Sequence, residues 1–145
     1  MSKKLNIGLF GFGVVGQGLN DIIRTKNLNL EIVKIAIKDG NKQRSLPAEL
    51  FTTDRDELLN NPEINTIVEL INDTEAAFEI VSRALSTGKN VVSASKKMIA
   101  LHLDELIALQ HKYDVVAMPR GGTESRLRAR VPLLAMQVQV LSPAL

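Results

Sequence analysis

The chain has 145 residues, 45% of them apolar and 23% charged, which suits one compact soluble domain with a real core. It contains no cysteine, excluding disulfides, cysteine-held metals and thiol nucleophiles. The net charge of +2 is uneven: residues 1–115 carry 14 lysines and arginines against 15 acids, while residues 116–145 carry four arginines and one glutamate. With no RNA-binding aromatic motif, zinc finger or basic helix beside it, that excess does not point to nucleic acid.

Residues 5–10 (LNIGLF) form an apolar run of strand length, and after it Val15, Leu19, Ile22 and Ile23 recur at helical spacing. Between them stands Gly11-Phe12-Gly13-Val14-Val15-Gly16. A glycine-rich turn joining a buried strand to a helix is the setting of a dinucleotide-binding fingerprint. Gly11 permits the tight turn, Gly13 lets the backbone approach a pyrophosphate, and Gly16 lets the helix pack on the strand. The free N–H groups and positive dipole end of the helix then face the phosphates.

Residues 32–37 are β-branched and read as the second strand, ending at Lys38-Asp39-Gly40. In a dinucleotide fold this end faces the adenosine ribose. Asp39 suits the 2′-hydroxyl of NAD, and Lys38, Lys42 or Arg44 suit the 2′-phosphate of NADP, so the residues leave the choice open. Residues 50–52 read as a short strand or connector. Thr53 is placed to cap a short helix through Leu58 and Leu59, ended by Asn60-Asn61-Pro62.

Residues 64–71 form the next strand, whose end at Ile71-Asn72-Asp73 opens onto the crevice where ligands sit in parallel sheets. Asp73 is the expected N-cap of a helix that puts Ala77, Ile80, Val81, Ala84 and Leu85 on one face, with Gly88 at C′. Residues 90–93 form a further strand, followed by a loop carrying Ser95, Lys96 and Lys97. Residues 101–112 are helical, with Leu103, Leu106, Ile107 and Gln110 on one face, and residues 115–118 begin one more strand. His102 and His111 read as surface positions, without metal-ligand spacing, and no metal is expected. Alternating strands and helices with short connections give a single α/β domain, a Rossmann-like doubly wound parallel sheet.

No apolar run is long enough to span a bilayer, and the first strand begins too early for a signal peptide. A cytoplasmic protein with no membrane partner is expected. After Met118 the character of the chain changes. Residues 119–145 contain no lysine and no asparagine, while the body has ten of each; Pro119, Pro132 and Pro143 punctuate this stretch. The expected domain therefore runs over residues 1–118. The tail, 119–145, reads as vector-derived or frame-shifted, or else as an arm that orders against another subunit.

Residues 1–115 resemble the N-terminal half of homoserine dehydrogenases. The resemblance rests on Ile7 to Gly16, on Ile37-Lys38-Asp39, on Ile67-Val68-Glu69-Leu70-Ile71 and on Ser82 to Ala100. Within the last, Gly88-Lys89-Asn90-Val91-Val92-Ser93-Ala94-Ser95-Lys96 is similar to the family's gly-lys-x-val-val-thr-ala-asn-lys signature. Ser95 stands where the family usually has Asn, Ser93 where Thr is common, Asn72-Asp73 where Gly-Gly is frequent, and Lys38 where Arg often approaches the 2′-phosphate. The resemblance implies an NAD(P)-binding domain with Gly11, Phe12, Gly13, Val14, Val15, Gly16, Lys38, Asp39, Ile71, Asn72, Ser93, Ser95 and Lys96 at the cofactor. Lys96 is also the implied catalytic lysine beside the small-molecule substrate. The implied reaction is reversible hydride transfer between NAD(P) and homoserine or aspartate 4-semialdehyde, in threonine and methionine biosynthesis, by a homo-oligomer. The family's substrate and dimerisation region is not within these residues, which implies cofactor binding without turnover. Another NAD(P)-dependent aldehyde or keto-acid oxidoreductase and a nucleotide-sensing module are the competing readings.

Overall fold

A computed structural model of the chain describes residues 4–113. Five parallel strands form one sheet in the order β3-β2-β1-β4-β5. They are β1 (Leu5–Phe10), β2 (Leu30–Ala36), β3 (Phe51–Thr52), β4 (Thr66–Glu69) and β5 (Asn90–Ser93). Helices α1 (Val14–Lys26), α2 (Asp56–Leu59), α3 (Thr74–Ser86), α4 (Lys96–Leu101) and α5 (Leu103–Tyr113) form the crossovers and cover the faces.

Side chains along β1 alternate between two cores, as a strand's period of two requires. Ile7 and Leu9 join Ile35 and Val68 on the face that α1 covers through Leu19 and Ile23. Phe10 joins Ile67, Val91 and the buried stripe of α3, namely Ala77, Ile80, Val81, Ala84 and Leu85, on the other. Burying each of Ile80, Val81 and Leu85 contributes roughly 1.5–3 kcal/mol before entropy. The expected α3 face and the capping role of Asp73 both hold: its Oδ1 accepts from the Ala76 N–H at 3.0 Å. Gly88 sits at φ +80°, the left-handed turn that ends the helix.

Several boundaries differ from the sequence reading. β4 stops at Glu69 rather than Ile71 because the Glu69 side chain takes the Ile71 N–H at 2.7 Å. Thr53 does not cap α2; the Asp54 carboxylate accepts from the Asp56 N–H at 2.9 Å. Of the expected α1 stripe, Ile22 is half exposed and Val15 opens to solvent. The helical segment after β5 begins at Lys96 and breaks at His102, so it is two helices, anchored by buried Met98 and Leu106. His102 is not a free surface residue: it stacks on Phe78 with ring centroids 3.8 Å apart and pairs with Glu105 at 3.1 Å. His111 is exposed. The strand expected at 115–118 and the tail at 119–145 lie outside the described residues.

Candidate functional site

β1 lies at the centre of the sheet, with β2 on one side and β4 on the other. The chain's crossovers change face there, which opens a crevice beyond the strand ends. The glycine turn is built into it. Gly11 has φ +97°, and its N–H donates to Ala36 O at 3.0 Å. Gly16 is buried; a Cβ there would stand 2.8 Å from Gly11 O, so only glycine lets α1 come this close to β1. Gly13 is the N-cap of α1, with φ −87° and ψ −152°, and a Cβ there would meet nothing within 4 Å. The Gln17 N–H donates to Gly13 O at 3.0 Å and closes the first turn. The N–H groups ahead of it have no partner along the helix, and the space beside Gly13 is open.

That space is a crevice of about 800 Å³ lined by Gly11, Phe12, Gly13, Lys38, Asp39, Ile71 and Asn72. Seven of the expected cofactor positions thus converge on one volume. Val14 lies beside it on the first turn of α1, 89% exposed, with Val15 next. Lys42, Arg44 and Arg55 also line the crevice, with Lys38 making four cations, of which Arg55 is paired with Glu79 at 3.3 Å, against the two acids Asp39 and Asp73. An anionic group fits this rim by charge.

The loop after β2 is folded on itself. The Arg44 guanidinium donates to Asp39 O at 3.0 Å and Lys42 O at 2.9 Å, and lies 5.2 Å over the Phe51 ring. Phe51 in turn meets Phe12 of the glycine turn edge-on at 5.4 Å. Asp39 Oδ1 is occupied by the Asn41 N–H at 2.9 Å, whereas Lys38 is exposed and has no side-chain partner among the described residues. Phe51 and Arg55 were not among the expected site residues; both come from the segment around β3, too short to carry a period.

A family model described as the NAD-binding domain of homoserine dehydrogenase matches residues 11–119. The chain belongs to this family. Homoserine dehydrogenase of Pseudomonas aeruginosa is 33% identical over 122 residues, 79% of this chain and 28% of that protein. Its counterpart from Lactococcus lactis is 35% identical over 77% of this chain and 29% of that protein. An S. aureus homoserine dehydrogenase crystal structure superposes with a TM-score of 0.70 at 33% identity, over 80% of this chain and 32% of that one. A hyperthermophilic archaeal homoserine dehydrogenase mutant in complex with NADPH gives 0.65 at 27% identity, over 77% and 42%. The chain therefore spans a little over a quarter of the length of the curated relatives it matches.

The remaining expected positions, Ser93 at the end of β5 and Ser95 and Lys96 after it, do not line the crevice. Ser93 is buried, and its hydroxyl donates to Glu69 Oε2 at 2.6 Å. The Ser95 N–H donates to Ser93 Oγ at 3.1 Å. Lys96 is not in a loop but on the first turn of α4, exposed and without a side-chain partner among the described residues. Glu69 is fully buried, and burial pushes its carboxyl above the usual carboxylate range, against the opposing pull of the Ser93 and Ile71 hydrogen bonds. Its signal in the sequence was a lone charge inside Thr66-Ile67-Val68-Glu69-Leu70-Ile71. Among the described residues no group of three or more His, Asp or Glu is placed to hold a metal, and no helix is long and apolar enough to cross a membrane.

Proposed function

We propose that this chain is the cofactor-binding part of a homoserine dehydrogenase and that it binds NADP(H) in preference to NAD(H). The observation that carries this reading is Gly13: an N-cap with empty space beyond it, at the mouth of a crevice rimmed by four cations. The N–H groups of Val14, Val15 and Gly16 hold the pyrophosphate. Lys38, helped by Lys42 and Arg44, takes the 2′-phosphate. Asp39 favours NAD less than its charge suggests, because one carboxylate oxygen is already bonded within its own loop. Ile71 and Asn72 form the opposite wall.

When bound, the nicotinamide supplies or accepts the hydride. Lys96 has a free ammonium group on the side of the β5 loop, and its role is to hold the negative charge that develops on the oxygen of a small aldehyde or alcohol substrate. The reading includes a homo-oligomeric, cytoplasmic parent enzyme and a domain boundary near Met118, one residue before the family match ends. Calorimetric titrations with NADPH and NADH test it. Saturation at one site per chain, tighter for NADPH, is expected; no saturation with either nucleotide contradicts it.

A further inference from the structure

The buried carboxylate of Glu69 joins the loop after β4 to the loop after β5. Oε1 accepts from the Ile71 N–H at 2.7 Å in the loop after β4. Oε2 accepts from the Ser93 hydroxyl at 2.6 Å, and Ser93 Oγ accepts from the Ser95 N–H at 3.1 Å in the loop after β5. The Ala94 N–H donates to Glu69 O at 2.9 Å, so the backbone of the same residue pins the second loop as well. One side chain thus sets the course of the chain into Ile71-Asn72 and into Ser95-Lys96. A carboxylate with no exposed surface is a costly way to tie loops unless their placement matters.

We infer that Glu69 is a positioning residue, which with Ser93 as relay sets the spacing between the Ile71-Asn72 wall and the Lys96 helix at the nicotinamide end of the site. This rests on the cofactor reading above. Ser93 therefore acts through its two hydrogen bonds and not by touching the nucleotide, since its side chain is buried and its hydroxyl hydrogen is given to Glu69. Asn or Gln at position 69 differ in their consequence: Gln retains an acceptor for Ile71 and a donor to Ser93 Oγ, while a shorter side chain retains neither at the right distance.

The test compares two probes on the full chain. NADPH spans both ends of the site, whereas adenosine 2′,5′-bisphosphate occupies only the adenosine end beside Lys38. Glu69→Ala should weaken NADPH by about tenfold, the size of a lost buried hydrogen-bond pair, and change adenosine 2′,5′-bisphosphate by less than about twofold. Ser93→Ala, a one-atom change that keeps the fold should Glu69→Ala unfold, should show the same pattern at smaller size. Glu69→Gln, which keeps the Ile71 bond but reverses the bond to Ser93, should lose less NADPH affinity than Glu69→Ala. Equal losses for both probes, or no loss of NADPH in folded Glu69→Ala and Ser93→Ala chains, overturn the assignment alone. A wild-type chain that binds neither probe overturns the cofactor reading and this inference with it.

Discussion

Replacing Gly13 by Val separates binding from folding. The backbone at Gly13, φ −87° and ψ −152°, is open to any L-residue, and no heavy atom lies within 4 Å of the new Cβ. The folding cost is then limited to exchanging an acceptable N-cap for a poor one, about 1 kcal/mol, or a melting shift of roughly 2–4 °C for a chain of this size. The binding cost is larger. The isopropyl group fills the space where a phosphate oxygen must come within about 2.9 Å of the helix N–H groups. Two such charge-assisted bonds, at about 1.5–3 kcal/mol each, are lost or stretched, which weakens NADPH by roughly 100-fold or more. Circular dichroism melts and calorimetric titration of the same sample read both quantities. A folded Gly13→Val chain with unchanged affinity would remove the α1 N-terminus from the site.

The opposite outcome is expected next door. Gly16→Ala places a methyl 2.8 Å from Gly11 O, so α1 must lift from β1, and stability should fall by about 1–3 kcal/mol even without nucleotide; an unshifted melt would refute the packing argument. Lys38→Ala should weaken NADPH about tenfold while leaving NADH nearly unchanged, and equal effects on both would show that another residue discriminates. Burial holds the Glu69 carboxyl above its unfolded value, so the folded chain keeps that proton to higher pH than the unfolded one. Stability must then fall as pH rises from the unfolded pKa through the folded one. Glu69→Gln removes this contribution, and urea unfolding of both chains from about pH 4 to pH 8 should show a flatter profile for the variant; parallel profiles would contradict the shift.

What could be read in the sequence was what local chemistry dictates. A strand, three spaced glycines and an amphipathic continuation specify the β1–α1 turn, because only glycine tolerates φ +97° at Gly11 and contact at Gly16. Asp73 could be placed as a cap for the same reason: the bond spans three residues. Contacts across long separations were not legible. Nothing near Glu69 announces Ser93, 24 residues away. Nothing near Arg44 announces that Phe51 will support its guanidinium. The break between α4 and α5 falls at His102, which stacks against Phe78 of another helix, and four to six residues are too few to carry a helical period. The convergence of Lys38, Ile71 and the glycine turn on one crevice followed from the fold class, whereas the internal commitment of Ser93 required coordinates.

The first-turn N–H groups of α1 are proposed to bind the phosphates of a nicotinamide dinucleotide. Amide NMR spectra of the ¹⁵N-labelled chain, recorded during titration with NADPH, test it most directly. The largest shifts should fall on Gly13, Val14, Val15 and Gly16, with Lys38 and Asp39 following and the opposite end of the strands around Asn65 and Lys89 unmoved. Shifts that avoid the Gly13 to Gly16 amides, at saturating nucleotide, would contradict it.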